Sequence, residues 1–453
     1  MDKVLAYIEG HKKDFLDRFC DLLRVQSTSA QSDHRADVRK AAEMTLGFLK
    51  QAGIKGQVME TAGHPAVVAD SGDGPGKAKA LIYGHYDVQP EGDLKLWHSP
   101  PFEPTIRDGA VYARGSADDK GQMLTHVFAA EAWMKTHGKL PVRVKYLIEG
   151  EEEVGSPSLP DFIKQHKERL ACDYVALSDT SQLKAGVPAI TYGTRGLVYM
   201  EVFLYGPKQN LHSGSFGGTI ANPANVLAAM IASMKDAKHR VTIPGFYDDV
   251  ARLSDKEKKA LGELPFDEKE YLAELGSPAA VGEEGFTTNE RRWVRPTLEV
   301  NGIIGGYTGE GASTVIPAQA SAKVSMRLVP NQHAEKIRDA FEAYVGKVCP
   351  PTVRLEIKRH GAADAYMIPL DSPGIAAAAR AVEKGFGKKP VFMREGGSLP
   401  ILPMFKQVLG ADSLLMGFCM PTCNAHGPNE FFHVHDFEAG IRTAAHFLAE
   451  IAA

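Results

Sequence analysis

Several imidazole and carboxylate groups stand directly after segments that read as strands: His85 and Asp87 in YGHYDVQP, Glu152 and Glu153 in EGEEEVGS, and Asp179 in LSDT. Asp118 and Asp119 sit in RGSADDKG just ahead of a helical pattern, and His426 lies in the NAHGPNE loop beyond an LLMGF strand. Open α/β sheets bind ligands at the carboxyl ends of their strands, so these groups can converge on one crevice. Taken singly, an acid or a histidine in a loop is more often solvated or capping a helix. Taken together, crowded carboxylates repel and raise one another's pKa, and something cationic must neutralise them. Nitrogen and carboxylate donors without thiolate suit Zn, Mn or Co, and a carboxylate bridging two ions about 3.5–4 Å apart is the usual device of hydrolytic two-metal sites. Asp118 is the candidate bridge.

The elements that must position these groups alternate between helical and extended patterns, as in an α/β sheet with helices on its faces. Helices are expected near 3–25 and 36–52, the second ending at Gly53, and near 120–137, ending at Gly138. Strands are expected at Lys79–Tyr83, Val142–Ile148 and Tyr174–Ser178. An alternating strand near 190–205 opens a different pattern: helix 223–235, strands near 297–304 and 314–328, helix 333–347 and strand 352–358. That order predicts an inserted α+β domain over 193–362 between two parts of one α/β domain, 1–192 and 363–453. The second part carries helix 373–385, strands at 391–393 and 414–418, and a helix near 436–451. The polar stretch 244–295 reads as a solvated, partly helical excursion with no chemistry of its own.

With 453 residues the chain exceeds one ordinary core, and its 44% hydrophobic and 24% charged content is that of globular proteins. A net charge of -4 offers no basic field for nucleic acid or an anionic membrane, which leaves small ligands as the expected partners. The opening MDKVLAYIEGHKKDF has no apolar core of signal-peptide length and no long apolar span follows, so a soluble cytoplasmic protein is expected. Five cysteines are too sparse and odd a set for a disulfide scaffold. Cys419, Cys423 and His426 have spacing loosely like a zinc knuckle, but without a second half nearby the two cysteines read as buried thiols.

The motifs GHYDVQP, ARGSADDKG, EGEEEVGS, SDT, NLHSG, MRLVP, REGGS and AHGPNE, in this order across essentially the whole chain, resemble the dinuclear zinc aminoacylase, carboxypeptidase and dipeptidase family. The likeness is strongest to cytosolic nonspecific and carnosine-type dipeptidases. The resemblance implies a zinc-exopeptidase-like catalytic domain with a mixed sheet, an inserted lid and dimerisation domain, and two divalent ions per chain, zinc foremost, with manganese or cobalt as alternatives. It implies one ion held by His85, Asp118 and Asp179, the other by Asp118, Glu153 and His426. Asp87 then orients His85, and Glu152 is the general base that takes a proton from the attacking water and passes it to the leaving amine. Because EGEEEVGS holds three glutamates in a row, the register rests on Val154-Gly155-Ser156 following the ligand; Glu151 becomes a plain solvated charge, and a one-residue slip would exchange base and ligand.

Within the inserted domain the resemblance implies that His212 reaches the developing oxyanion from the partner subunit of a homodimer. Without the other motifs, NLHSG would read as a surface loop in a Gly-rich turn. Arg327 in MRLVP, with Thr314, His360, Gly397 and Ser398, is implied to grip the free C-terminal carboxylate of a dipeptide, although an exposed guanidinium is commonly a solvated face. Where the dipeptidases continue from His360 with GGKPW-like residues, this chain has GAADAYM, which leaves the side-chain preference open. His433 and His435 read as packing neighbours of the last helix. The expected activity is hydrolysis of a small peptide; an amidohydrolase acting on N-acyl amino acids is the alternative with the same chemistry, and a noncatalytic scaffold is the alternative of another class.

Overall fold

The computed structural model describes residues 1–452, Lys256 by its backbone alone. Helices Asp2–Gly10 (α1), Lys12–Leu23 (α2) and Arg35–Gln51 (α3) come first. The single helix expected near 3–25 is two, because His11 leaves the helical region at φ −117°, ψ 10° while its ring stacks on Tyr7. Strands Lys55–Met59 (β1) and Ala66–Asp70 (β2), which the sequence reading did not anticipate, pair antiparallel. They are followed by Lys79–His85 (β3), helix Lys120–His137 (α4), Arg143–Glu149 (β4), Tyr174–Leu177 (β5) and Ala189–Thr194 (β6). The strand expected near 190–205 breaks at Arg195 and resumes as Gly196–Tyr205 (β7). Then come helix Pro223–Ser233 (α5), strands Thr297–Gly305 (β8) and Gln319–Leu328 (β9), helix Ala334–Val348 (α6) and strand Arg354–Ala363 (β10). Helix Pro373–Phe386 (α7), strand Asp412–Gly417 (β11) and helix Val434–Glu450 (α8) complete the chain.

The chain divides into two compact units: residues 1–192, 368–393 and from 401 onward, and residues 193–367 with 394–400. The sequence reading closed the insertion at 362 and kept 394–400 outside it. Backbone pairing explains the difference: Tyr366 and Met367 pair with Thr194 and Gly193, and Arg195 and Arg327 hold the 396–398 turn.

In the first unit the sheet runs β1-β2-β4-β3-β5-β11-β6. β3 lies parallel to both β4 and β5, and β11 parallel to β5, while the outer pairs are antiparallel. Past its first residue, every side chain of β3, β4 and β5 is buried. Successive side chains point to opposite faces, so both faces of this central region are covered. Helix α8 packs on α4 and α7. The parallel strands share one C-terminal edge, and the loops that leave it carry the candidate residues.

The second unit is an antiparallel sheet, β8-β9-β7-β10. Val198, Met200, Val202 and Leu204 of β7 join Val324, Met326 and Phe341 in its core, under α5 and α6. The strand expected over 314–328 is split into Val315–Ile316 and β9, since Pro317 lacks the N–H a continuous ladder needs. The polar stretch 244–295 contributes three short helices, and Glu257 within it pairs with Arg394. Among the described residues no helix is long and apolar enough to cross a membrane.

Candidate metal centre

His85 is the last residue of β3, Asp87 follows two positions on, Glu152 and Glu153 lie in the loop after β4, and Asp179 lies just past β5. Asp118 and Asp119 immediately precede α4, where the positive end of the helix favours carboxylates. Two groups of ligand-type side chains result, His85 with Asp118 and Asp179, and Asp118 with Glu153 and His426, with the donor atoms of each group within 4.8 Å of one another. Asp118 belongs to both, and its two oxygens are divided between them. Oδ1 lies 3.1 Å from His85 Nε2 and Oδ2 lies 2.9 Å from His426 Nε2. His85 Nε2 is also 3.8 Å from Asp179 Oδ2, and His426 Nε2 is 3.1 Å from Glu153 Oε2. His85 is fully buried whereas the His426 side chain is 57% exposed, so the centre is open to solvent on the His426 side.

The electrostatics of the cluster test whether it suits a cation. Burial, reinforced by the Asp118 charge, pushes the Asp179 carboxyl up to about 7. Burial also drives Glu152 and Asp119 well above the usual carboxylate range, with the neighbouring Asp179 adding to both. The Asp118 and Glu153 carboxylates draw His426 up to about 11, and the Asp118 and Asp87 carboxylates raise His85 despite its burial. Asp118 alone is held below the usual carboxylate range, against its burial, by the His426 and His85 imidazoles; the other shifted groups favour their protonated forms, the behaviour of a group of donors short of positive charge. A divalent cation would supply that charge in place of the protons, and the oxygen and imidazole donors fit one.

The surrounding residues hold these donors still. Asp87 is fully buried; its carboxylate lies 3.4 Å from His85 Nδ1, and its backbone carbonyl is closer still at 3.1 Å. It also receives Ser29 Oγ at 2.6 Å and the backbone N–H groups of Glu152 and Glu153 at 3.2 and 3.1 Å, so one carboxylate fixes the imidazole and the loop that follows β4. Gln89 Nε2 donates to Glu153 Oε2 at 2.9 Å. Glu151 is not the solvated charge expected from sequence: it is buried, and its carboxylate accepts the backbone N–H groups of His64 and Ser158 at 2.9 and 3.2 Å. Glu152 carries the loop's remaining carboxylate and stands outside both ligand-type groups, whereas Glu153 belongs to one.

Sequence reasoning missed Glu430, the last residue of AHGPNE. It is fully buried and accepts Arg114 Nη1, Gly115 N–H and Ala117 N–H at 2.8 Å each and Asp118 N–H at 3.1 Å. The loop that presents Asp118 is therefore built around this carboxylate. Its signal in the sequence was a carboxylate motif and an arginine motif more than three hundred residues apart, which only the fold connects. Cys419 and Cys423 are free, buried thiols whose sulfurs lie 3.9 Å apart. His433 and His435 pack ring against ring at the start of α8.

In the second unit, His212 pairs with Val315, and Ser213 N–H donates to the Thr314 carbonyl at 2.9 Å, so His212 and Thr314 are neighbours. His212 Nδ1 accepts the N–H groups of Gly214 and Ser215 at 3.0 and 3.2 Å. Arg327 Nη1 donates to Ser398 Oγ at 2.6 Å, with Gly397 alongside. His360 Nε2 instead meets Glu201 Oε2 at 3.1 Å, its ring beside Tyr199.

The fold and this centre are those of a metal-dependent hydrolase with an inserted α+β unit. Residues 81–450 match the family described as Peptidase family M20/M25/M40, and the chain belongs to it. It is 31% identical to the Cys-Gly metallodipeptidase of Schizosaccharomyces pombe, over 100% of this chain and 98% of that protein. Among solved structures, the M20 family metallo-carboxypeptidase of Sulfolobus solfataricus superposes with a TM-score of 0.89 at 32% identity, covering 97% of this chain and 99% of that one. Human carnosine dipeptidase 1 superposes with a TM-score of 0.86 at 28% identity, covering 100% and 98%. The chain is a metallopeptidase that hydrolyses the amide bond of small peptides with divalent metal ions.

Proposed function

We propose that the protein is a dipeptidase in which His85, Asp118 and Asp179 hold one divalent cation and Asp118, Glu153 and His426 hold a second, with zinc the first choice and manganese or cobalt the alternatives. The division of the two Asp118 oxygens between the two imidazoles carries this reading. When bound, the cations supply Lewis acidity that polarises the scissile carbonyl and eases deprotonation of water. Glu152, the carboxylate of this loop outside both ligand groups, takes the proton from the attacking water and delivers it to the departing amine. Asp87 keeps His85 and the Glu152 backbone in register for that transfer.

His212 is read as the donor to the developing oxyanion. Two backbone N–H groups point at its Nδ1, which assigns the proton to Nε2 and leaves that atom free to donate. We assign it to the active site of a partner subunit in a homodimer. Edge strand β8 supports such a pairing, since it leaves Ile303 and Ile304 63% and 65% exposed, an apolar edge that a second copy would cover. Arg327, Ser398, Gly397 and Thr314 are assigned to the substrate's terminal carboxylate, with His360 at its margin. The free thiols of Cys20, Cys172, Cys349, Cys419 and Cys423 fit a reducing compartment, the cytoplasm.

A second reading, a carboxypeptidase that trims longer peptides, draws support from the likeness to the Sulfolobus solfataricus enzyme. Turnover of di-, tri- and pentapeptides and of N-acetyl amino acids by the metal-loaded enzyme separates the readings. Dipeptides should lead, and a preference for pentapeptides or acylated amino acids would replace this assignment. Glu152→Gln should keep its metal content and lose about 10²–10⁴-fold in turnover.

A further inference from the structure

Arg195 occupies the single position between β6 and β7, and it binds the Gly396-Gly397-Ser398 turn at two points. Its backbone N–H donates to the Gly397 carbonyl at 3.0 Å, and its side-chain Nε donates to the Gly396 carbonyl at 2.9 Å. Main chain and side chain of one residue therefore fix two consecutive carbonyls. On the next residue of the same turn, Ser398 Oγ accepts Arg327 Nη1 at 2.6 Å. The turn is thus suspended between two arginines, one fixing its backbone and the other meeting its side chain.

The fit around Gly396 is close. A Cβ built there would lie 3.1 Å from Arg195 Nη2 and 3.2 Å from the Arg292 carbonyl, so glycine is what lets the guanidinium pass. At Gly397 the nearest atom to a built Cβ is Glu395 Cγ at 3.8 Å, an ordinary contact. The steric demand therefore falls on the residue that Arg195 clamps. Arg195 is partly buried, and burial together with the Arg327 charge brings its guanidinium down to about 10, where it is still charged at neutral pH. The guanidinium groups of Arg195, Arg327 and Arg292 are only partly offset by the Glu395 and Glu299 carboxylates, a balance that favours the arrival of an anion.

We propose that Arg195 is a positioning residue for recognition of the substrate's free carboxylate: with Glu395, whose carboxylate accepts the Gly396 and Gly397 N–H groups at 2.6 and 3.4 Å, it holds the 396–398 turn so that the Ser398 hydroxyl and Arg327 stand as a preorganised pair of donors. This rests on the assignment of Arg327 to that carboxylate. Lysine cannot reproduce the role, because a single ammonium lacks the planar Nε–H that reaches the Gly396 carbonyl while the rest of the fork lies along the turn. The residue acts on the site's geometry and touches neither substrate nor metal.

The test compares Arg195→Lys, Arg195→Ala, Gly396→Ala and Arg327→Met in the metal-loaded full chain, using one dipeptide and its C-terminal amide. Arg195→Lys and Gly396→Ala should each raise KM for the dipeptide about tenfold, the equivalent of ~1.4 kcal/mol, with kcat within about twofold. Both should also compress the preference for acid over amide, and guanidinium ion should partly restore the KM of Arg195→Ala. If Arg327→Met raises KM while Arg195→Lys and Gly396→Ala leave KM and the acid preference unchanged, the proposal is overturned and the carboxylate assignment stands. If Arg327→Met leaves the acid preference intact, the carboxylate assignment itself fails. A fall in kcat that tracks the loss of folded, metal-loaded protein, with the preference for acid preserved, assigns Arg195 a purely structural role and overturns the proposal.

Discussion

Replacing Glu430 by glutamine tests how the shared carboxylate of Asp118 is placed. In the native protein, one Glu430 oxygen receives Arg114 Nη1 and Gly115 N–H, and the other receives Ala117 N–H and Asp118 N–H. Glutamine keeps one acceptor and turns the other position into an NH2 that faces donors. Turned toward Ala117 and Asp118, it leaves two backbone N–H groups without an acceptor; turned the other way, it strands the buried Arg114 guanidinium. An orphaned buried donor costs ~1–3 kcal/mol, and breaking a buried ion pair ~3–5 kcal/mol. The contributions overlap, so a loss of about 3–5 kcal/mol is expected whichever way the amide turns. The assay is the urea midpoint of chelated protein at unchanged m-value, which keeps metal binding out of the comparison. Calorimetry on the same variant should show metal affinity lowered about 10–100-fold, since the Asp118 backbone has lost its anchor. A stability change within about 0.5 kcal/mol, that of an ordinary surface substitution, would refute the claim that this carboxylate organises the loop.

Asp118→Ala should empty both halves of the centre at once, and metal analysis that finds one full equivalent per chain would contradict its place in both groups. Prolonged chelation of the native enzyme should abolish turnover, and zinc, manganese or cobalt should restore it; activity that survives complete metal removal would exclude the assigned chemistry. Glu151→Ala, which orphans the His64 and Ser158 N–H groups, should destabilise the chain by about 1–3 kcal/mol in urea melts, where a solvated charge would leave the midpoint unmoved. His212→Ala should lower kcat by about 10²–10³-fold, and two inactive variants, His212→Ala and Glu152→Gln, should regain activity when mixed if the histidine serves a partner subunit.

What the sequence made legible was whatever its motifs carry locally. His85, Glu153, Asp179 and His426 follow strand-like runs and Asp118 precedes a helix, but it is the resemblance of the motifs that singles these five out as ligands; the fold brings them together because β3, β4, β5 and β11 run parallel and end on one side. Glu151 and Glu430 were illegible for a common reason. Each accepts backbone N–H groups from distant segments, and no pattern in sequence records which loop will need an acceptor. The breaks at His11, Arg195 and Pro317 interrupted elements whose apolar periodicity ran straight through them, and only Pro317 announces its break chemically. β1 is hard to read because KGQVM has no buried position to leave an apolar pattern, whereas AVVAD of β2 is a short apolar run of the same kind as those read as strands elsewhere.

The order in which this sheet is assembled has a consequence for biosynthesis. β5 finds its parallel partner β11 only after more than two hundred intervening residues, and α4 is covered by α8, the last helix of the chain. On the ribosome, the N-terminal strands therefore wait with an open sheet edge and a bare apolar helix face while the inserted unit, nearly contiguous in sequence, can close on itself first. Nascent chains released before residue 412 should be sticky and dependent on chaperones, and slowing translation across the insertion should lengthen that exposure.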